Sequence, residues 1–468
     1  MPTPSESTRP RPPRSLREPP RFTSRHPFGV FPQLRADPLA FLTAAARRHG
    51  DVVGFRIGPL RSVLLRHPDA IKHVLVDNNP NYDKHTRGYD VLREFLGNGL
   101  LTAEGDLWRR QRRIAQPAFH RRRIEGFADA MLADTLDMLR RWDDLAGLGR
   151  TVDMAHEMMA LTLRIVGRTL LSTDVQDAAD EVGHAVTVLH DWADARLDSL
   201  LPLELPTPRT LRARAASRRL DRIIGDLITR RRGGEHAEDL LGMLMEAKDA
   251  ETGESMTDRQ LRDEVTTMFL AGHETTANAL AWTFYLLSTH PEVERRLRAE
   301  LDAALAGVTP VLADLPRLPY LLQVVKESMR LYPPAWILDR RAKDEDSILG
   351  YRVRKNTLVL CSPYVTHRHP ELWPNPEGFD PERFTAAAEA TRPRYAYFPF
   401  GGGPRQCIGI AFAMMEAQLI LATVLQRYRP WLIPGQSISA EPLITLRPRA
   451  GLHMGLTPIR AAAAAAAQ

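Results

Sequence analysis

A long, almost uniformly apolar helical pattern between Thr257 and His290 constrains the fold more than any other feature of the sequence. Thr257 and Gln260 match a capping box at its start, and Pro291 ends it. A helix of this length would extend ~50 Å at 1.5 Å per residue, enough to cross a whole domain. Its surface beyond the first two turns is apolar almost all round, so we expect it to be buried. Polar residues in its middle therefore require an explanation.

The rest of the chain is predicted to be mainly α with minor β. Helical spacing recurs over residues 131–145, 152–171, 211–230 and 408–428. Short strand patterns cover residues 52–57, 63–66, 351–361, 443–446 and 453–456. No fixed-period repeat or long linker interrupts the chain, which predicts a single domain. We expect this domain to span residues 26–458, between a flexible arm at 1–25 and an Ala-rich tail at 459–468.

Composition excludes several classes of protein. The 468 residues are 44% hydrophobic and 26% charged, which is sufficient for a large core. Cys361 and Cys407 are too few for a disulfide framework or a four-cysteine zinc site. The net charge of +6 is modest and no nucleic-acid-binding module accompanies it, so no nucleic acid partner is expected. The absence of a long apolar run or secretory signal predicts a cytoplasmic protein without a membrane span.

The polar interruption of the long helix has the sequence Ala-Gly-His-Glu-Thr-Thr at residues 271–276. Gly272 would let a flat ligand or a second backbone approach closely. Thr275 can turn its hydroxyl onto a preceding carbonyl and loosen the helical turn. A simple kink with back-bonded threonines explains the same residues, and these residues alone do not decide between the two interpretations.

A second motif is a glycine-rich turn from Phe400 to Gly409 that leads into an apolar helical segment. Cys407 is predicted to lie at the helix start, where backbone amides and the helix dipole favour the thiolate, the form that ligates iron. The alternative is a free buried cysteine after a phosphate-type loop. However, no Lys-Ser or Lys-Thr pair follows, as a phosphate loop would require.

Taken together, these motifs resemble the cytochrome P-450 family, in its soluble bacterial form. The cysteine loop matches at six positions: Phe400, Gly403, Arg405, Cys407, Gly409 and Ala413. Glu327 and Arg330 match the family's Glu-x-x-Arg pair, and Arg383 matches the arginine that joins them in a structural network. The resemblance covers roughly residues 28 to 457. It implies a single-domain fold shaped as a triangular prism, with small sheets and the long central helix over a haem.

The resemblance also implies a haem b cofactor with Cys407 as the metal ligand. It assigns cofactor contacts to residues around the cysteine, on the central helix and at the propionates, namely Trp108, Arg112, Ala271, Gly272, Arg340, Phe400, Arg405, Cys407 and Gly409. Ala271 and Gly272 would leave room for dioxygen. Arg341 could replace Arg340 as a propionate partner, since forked cations suit buried carboxylates. His273 is not expected to be a second iron ligand, because it would fill the oxygen site.

The activity that the resemblance implies is monooxygenation. Glu274 and Thr275 match the family's catalytic acid-alcohol pair, which delivers protons. The enzyme would insert one atom of O2 into a C–H bond or double bond of an apolar substrate, such as a fatty acid or terpenoid. Access passes residues 82–101, 192–206 and 333–338, and Trp336 and Ile337 would line the pocket. A peroxide-using or isomerising member of the fold is one alternative. A thiolate-haem sensor is another, but it would need neither Glu274 nor Thr275.

Electrons are expected to come from NAD(P)H through a separate ferredoxin and its reductase. Arginines at 109, 110, 113 and 121–123 lie in the region that resembles the family's proximal face beneath the cysteine and would form the docking surface, although a solvated basic helix explains the same residues. Three further candidates are read as structural: His367, His369 and the strand residue Cys361.

Overall fold

The computed structural model describes residues 16–171, 176–197, 207–234 and 239–459. Within these ranges the α-helices are α1 Phe31–Ala36, α2 Pro38–His49, α3 Pro68–Lys72, α4 Arg87–Leu96, α5 Gly105–Ala115, α6 Arg121–Glu125, α7 Ala128–Gly147, α8 Met154–Leu171, α9 Gln176–Leu197, α10 Pro208–Arg232, α11 Leu240–Glu246, α12 Asp258–Thr289, α13 Pro291–Leu305, α14 Pro319–Leu331, α15 Pro363–Thr366, α16 Ala386–Thr391 and α17 Ile410–Arg427. The four further helical segments predicted from periodicity correspond to α7, α8, α10 and α17. Each agrees within about three residues.

The strands are short and form small sheets. They are β1 Val52–Ile57, β2 Leu60–Leu65, β3 Tyr82–Asp83, β4 Val152–Asp153, β5 Leu338–Ala342, β6 Asp346–Ile348, β7 Tyr351–Val353, β8 Leu358–Cys361, β9 Tyr428–Leu432, β10 Ala440–Pro442, β11 Leu446–Pro448 and β12 His453–Pro458. The largest sheet has the order β1-β2-β8-β5-β3, and only its β2–β8 pair is parallel. The chain is therefore mainly α with minor β, as predicted.

Two strand predictions were wrong in detail. The segment 351–361 divides into β7 and β8, which belong to different sheets. Asn356 has a positive φ of 60° between them and turns the chain. Residues 443–445 form a turn rather than a strand, and the neighbouring β11 pairs with β10. The partners of β12 are β9 and β4.

The central helix α12 follows the sequence prediction closely. The Thr257 hydroxyl accepts a hydrogen bond from the Gln260 amide at 3.3 Å, and the Gln260 side chain accepts one from the Thr257 amide at 2.9 Å. This capping box satisfies the first free amides of the helix. The helix packs against α8, α10, α14 and α17, and most of its side chains are buried. It therefore forms the axis of one domain.

The prediction of a flexible arm at residues 1–25 is wrong for residues 16–25, which lie along the sheet, and residues 1–15 are outside the described residues. The Phe22 amide donates to the Gly54 carbonyl at 2.9 Å, and the Gly54 amide donates to Pro20 at 2.8 Å. Arg17 forms a bridge with Tyr351. These hydrogen bonds cover the edge of β1, whose amides would otherwise lack partners. The Ala-rich tail lies outside the described residues except for Ile459.

In the part of the chain that the structure describes, α17 alone is long and apolar enough to cross a bilayer. However, 61% of this segment is buried inside the protein. That degree of burial is typical of a core helix, so the finding is weak evidence for a membrane span.

Candidate functional site

The glycine-rich turn from Phe400 to Gly409 folds tightly against the π-helical turn His73–Asp77. A Cβ atom at Gly403, which has a φ of +65°, would lie only 1.9 Å from the Leu75 carbonyl oxygen. Glycine is therefore required at this position. The Cys407 amide closes the loop by donating to the Phe400 carbonyl at 3.0 Å.

Cys407 is solvent-accessible, although protein atoms surround its position on most sides. The surrounding protein disfavours the charged form and raises the pKa of the thiol, while the Gly409 amide and the Arg112 guanidinium lower it. The helix dipole contributes less than predicted, because α17 begins at Ile410, three residues after the cysteine. The protein groups alone therefore do not stabilise the thiolate as predicted. A metal cation bound to the sulfur would supply the missing positive charge and remove the proton.

Arg112 lies beside the cysteine. Its Nη1 donates to the Gln406 carbonyl at 3.1 Å, and burial lowers the pKa of its guanidinium. Helix α5 therefore meets the cysteine loop. One of its cations is fixed next to the sulfur, where it favours negative charge.

The middle of α12 is open on one side. Ala271 is exposed and Thr275 is half-buried, although residues 263–270 and 276–284 are buried. Ile408, next to the cysteine, packs in the same apolar cluster as Leu270. The cysteine loop and the centre of α12 therefore border one apolar region of the interior.

Gly272 serves one of the two roles predicted for it, the close approach of a second backbone. A Cβ atom at this position would lie 3.2 Å from Cγ2 of Val166, a residue of α8. The missing side chain therefore allows close packing of α8 on α12. The prediction of back-bonding at Thr275 was correct, because its hydroxyl donates to the Ala271 carbonyl at 2.8 Å.

Three cationic side chains, Lys84, Arg340 and Arg405, lie close together in the interior near the glycine-rich turn. Lys84 is 4% exposed and donates to the Leu101 carbonyl at 2.7 Å. Burial holds the pKa of its ammonium well below the ordinary value, and the nearby charges of Arg340 and Arg405 lower it further. Arg340 is also 4% exposed and contacts the Tyr89 hydroxyl at 3.4 Å. Lys84 and Tyr89 were not predicted from the sequence, because no motif contains them.

The acidic side chains in this cluster do not balance its charge. Glu104 pairs with Arg405 at 2.7 Å, and Asp339 lies beside Arg340, where burial raises the carboxyl pKa. Three cations thus face two acids, in a region where an uncompensated charge is costly. The cluster is suited to a bound group that carries carboxylates.

Arg405 and Trp108 form a stacked pair at the edge of this cluster. The Arg405 guanidinium lies 3.9 Å from the centroid of the Trp108 ring, and burial lowers the pKa of Arg405 to about 10. The alternative propionate partner Arg341 is already engaged, since it donates to Asp83 at 2.7 Å. Of the two neighbouring arginines, Arg340 is therefore the one available to a ligand.

Glu274 does not point along the open side of α12. Its Oε2 lies 2.9 Å from His190 Nδ1, and its Oε1 accepts a hydrogen bond from the Thr445 hydroxyl at 2.6 Å. His190 lowers the pKa of the Glu274 carboxyl against the opposing effect of burial. Glu274 and Thr275 are adjacent in sequence, but their side chains have different surroundings. His273 is also buried, with Nδ1 2.7 Å from the Phe269 carbonyl oxygen.

The predicted structural network is present. Arg330 forms two hydrogen bonds to Glu327, at 2.6 and 2.8 Å, and both side chains are fully buried. The Arg383 guanidinium lies 3.4 Å from Glu327. The remaining Arg330 donors reach the carbonyls of three loop residues, namely His367, Pro376 and Gly378. This network holds the segment before the cysteine loop, and the buried His367 supports it, as predicted.

The two residues predicted to line the substrate pocket, Trp336 and Ile337, differ in burial and in contacts. Trp336 is buried, and its indole N–H donates to the Leu443 carbonyl at 2.8 Å, so it holds the 443–445 turn in place. Ile337 is half-buried and packs at the edge of an apolar cluster. Part of the predicted access segment, residues 198–206, lies outside the described residues.

The predicted arginine surface is partly neutralised. Arg110 pairs with Glu254 at 2.9 Å, and Arg113 pairs with Asp249 at 2.9 Å and Glu251 at 3.0 Å. These arginines are therefore engaged within the chain. In contrast, the exposed Arg122 and Arg123 of α6 form no ion pair within the described ranges.

Comparisons with known proteins agree with this architecture. Residues 19–451 match the family model described as Cytochrome P-450. The cyclooctat-9-en-7-ol 5-monooxygenase of Streptomyces melanosporofaciens is 40% identical over 86% of this chain and 87% of that protein. The pentalenene oxygenase of Streptomyces avermitilis is 37% identical over 91% of this chain and 94% of that protein. The crystal structure of the cytochrome P-450DA heme domain superimposes with a TM-score of 0.88 at 27% identity, covering 96% and 99% of the two chains.

The fold and the cysteine loop are those of a haem-thiolate oxidoreductase. The chain belongs to the cytochrome P-450 family and is a monooxygenase of that family. The residues present fit a haem: an accessible cysteine sulfur for the metal, an exposed alanine on the open side of α12, and surplus buried cations for the two propionates.

Proposed function

We propose that this protein oxidises a terpenoid, a cyclic apolar hydrocarbon or alcohol. The observations that carry the proposal are an accessible cysteine in the glycine-rich turn and the break in burial at Ala271, Gly272 and Thr275 of an otherwise buried helix. Two relatives named for such compounds, a cyclooctat-9-en-7-ol monooxygenase and a pentalenene oxygenase, align over most of the chain. Their names support a terpenoid over a fatty acid.

Haem b would be held by Cys407 at the metal and by Arg112, Arg340 and Arg405 at the carboxylates. When bound, haem supplies the activation of dioxygen. Lys84 would also serve the carboxylates, since an added anion offsets the repulsion that lowers its pKa. Trp108 would position Arg405 through their stacked contact.

The protein groups would control protons and water. Thr275, which is half-buried on the open side of α12, would present its hydroxyl to the reacting oxygen after releasing the Ala271 carbonyl. Glu274 would supply the proton to this hydroxyl. The buried apolar residues around the site, among them Val265 and Leu270, would exclude bulk water and accept an apolar substrate.

Electrons would come from NAD(P)H through a ferredoxin and its reductase in the cytoplasm. Arg122 and Arg123 are the predicted docking cations that the chain leaves unpaired among its described residues. An acidic ferredoxin would complement them in charge.

The test uses haem-loaded protein, a surrogate ferredoxin and reductase, and a panel of cyclic sesquiterpenes, diterpenes and fatty acids. We expect terpenes to shift the ferric absorbance spectrum and to give products heavier by one oxygen atom. Cys407→Ala should give no product and should lack the absorbance maximum of the reduced, carbon-monoxide-treated wild type.

Several outcomes would contradict the proposal. Oxidation of fatty acids alone would overturn the terpenoid assignment. Turnover with hydrogen peroxide but not with the reductase system would identify a peroxide-using enzyme. A product of unchanged mass would identify an isomerase. Ligand-dependent spectra without any product would favour a sensor.

A further inference from the structure

Both oxygens of Glu274 are engaged by partners other than Thr275. Oε2 lies 2.9 Å from Nδ1 of His190 on α9, and Oε1 accepts the 2.6 Å hydrogen bond from Thr445 in the turn before β11. The Thr275 hydroxyl is bonded to the Ala271 carbonyl at 2.8 Å. In this arrangement Glu274 cannot pass a proton to Thr275, so its release must be a separate step.

His190 is buried, and only one of its two ring nitrogens is engaged. The residue is 7% exposed, and its Nε2 has no hydrogen-bond partner in the described part of the chain. Glu274 raises the pKa of His190 above its ordinary value despite burial. Because the pKa of Glu274 is lowered in turn, the two side chains form a charged pair near neutral pH.

Other charged groups surround this pair on each packed element. Asp194 lies one turn further along α9 and accepts a hydrogen bond from the Ile444 amide at 3.1 Å; burial raises its pKa to about 6. His273 faces the pair from α12. Arg447 of β11 lies nearby and is paired with Glu441 at 3.0 Å. The pair therefore joins α9, α12 and the 443–445 turn.

We propose that His190 is a positioning residue for proton delivery, which holds Glu274 away from Thr275 until it transfers its Nδ1 proton to Glu274. This inference rests on the catalytic role proposed for Glu274. The N–H bond at Nδ1 breaks and an O–H bond forms at Oε2, which converts an ion pair into two neutral groups. The neutral acid is no longer held by charge and turns toward Thr275. Its movement exposes Nδ1, which takes the next proton from water.

The first test compares three variants of the haem-loaded enzyme. His190→Gln keeps a hydrogen-bond donor but does not ionise, and His190→Phe removes both properties. His184→Gln is the matched control, because His184 is exposed on the same helix. We expect His190→Gln to lose the pH inflection of product formed per NAD(P)H and to release several-fold more hydrogen peroxide. Substrate affinity and the carbon-monoxide spectrum should not change, and His184→Gln should behave as wild type.

The second test does not depend on turnover. A raised pKa of folded His190 means that its stabilisation is complete below the ordinary histidine pKa and is lost as pH rises through the folded value. The difference in Tm between wild type and His190→Gln should therefore be largest near pH 6 and shrink toward pH 9. A Tm difference that does not change with pH would contradict the charged pair. A wild-type yield of product per NAD(P)H in His190→Gln would contradict the positioning role.

The two tests separate this inference from the proposed function. If no terpenoid is oxidised, the substrate assignment fails. The positioning role of His190 is then judged by the pH dependence of Tm and by the peroxide released per NAD(P)H. If terpenoids are oxidised and His190→Gln forms as much product per NAD(P)H as wild type, the positioning role of His190 is wrong while the proposed function stands.

Discussion

At the scale of single residues, the buried pair of Glu327 and Arg330 has no solvent to replace a lost partner. Arg330→Leu would leave the Glu327 carboxylate with the Asp380 amide, at 2.9 Å, and the more distant Arg383. An uncompensated buried charge costs ~3–5 kcal/mol. We expect a decrease of that size in the free energy of unfolding, measured by denaturant titration of haem-loaded protein.

A control for this prediction has the same sequence spacing on the surface. Arg317 pairs with Asp314 at 3.0 Å, also three residues apart, but its side chain is 57% exposed. Arg317→Leu should cost less than ~1 kcal/mol, because exposed pairs contribute little. Equal losses for the two variants would show that burial of the Glu327 network has no energetic consequence.

Glu416 in α17 gives a pH-dependent prediction. It is fully buried, no charged side chain pairs with it among the described residues, and burial raises its pKa to about 8 against the opposing effect of the Thr276 hydroxyl. Between its ordinary value near 4.5 and about 8, the unfolded chain loses this proton while the folded chain keeps it. The free energy of unfolding should therefore fall as pH rises through this window, by up to about 1.4 kcal/mol per pH unit from this group.

Glu416→Gln should reduce that slope, as measured by denaturant titrations at pH 5, 6, 7 and 8. Glu292→Gln, an exposed change in α13, should leave the slope unaltered. If Glu416→Gln and wild type show parallel profiles, Glu416 is ionised in the folded protein and the predicted pKa shift is wrong.

Residue-scale prediction from sequence succeeded where the chemistry has a fixed local spacing. Cys407 and the Glu327–Arg330 pair are recognisable because their neighbours along the chain define them. Lys84 and His190 were not predicted, because their partners lie far away in the sequence and only the folded chain brings them together. Glu274 was identified, but its orientation depends on α9 and the 443–445 turn, which sequence spacing does not encode.

At the scale of elements, the contact of α8 with α12 depends on Gly272. A methyl group there would lie 3.2 Å from Val166, whereas the helical Gly225 of α10 has nothing within 4 Å of an added Cβ. Alanine is favoured over glycine in helices by about 1 kcal/mol. Gly225→Ala should therefore raise Tm. Gly272→Ala should raise Tm by a smaller amount or lower it, because the Val166 side chain must move.

The double variant Val166→Ala/Gly272→Ala isolates this contact. Relief of the crowding should make Gly272→Ala more favourable in the Val166→Ala background, and a double-mutant cycle on Tm or unfolding free energy measures the coupling. Additive effects would mean that Gly272 does not serve helix packing, and the ligand role first predicted for it would regain support.

Boundaries were predicted for five long helices, α7, α8, α10, α12 and α17, since burial on one face or all round imposes the helical period over many residues; α9 and α13 were missed. Strands were predicted less well, because two to six residues carry little pattern. The division of 351–361 between two sheets and the pairing of β12 with β4 depend on tertiary contacts. The sequence therefore predicted the central helix and the cysteine loop better than the sheets around them.

At the scale of the whole molecule, the distribution of charge matters more than its total of +6. The acidic loop at 249–254 pairs with Arg110 and Arg113, which sequence alone presented as free docking cations. Such intramolecular neutralisation cannot be read from a run of arginines, because the acids come from a distant segment. The unpaired cations Arg122 and Arg123 lie on α6, which packs against α17, the helix after the cysteine loop.

This distribution predicts where an acidic ferredoxin binds. The double variant Arg122→Ala/Arg123→Ala should lower the apparent affinity for ferredoxin several-fold at low ionic strength and flatten its decrease with added salt, because two steering charges are lost. The matched control, Arg209→Ala/Arg212→Ala, removes two exposed charges from α10, a helix that belongs neither to the cysteine loop nor to α6. Stopped-flow reduction across a salt series measures both. If the two double variants slow reduction equally, net charge alone governs docking and α6 is not the binding surface.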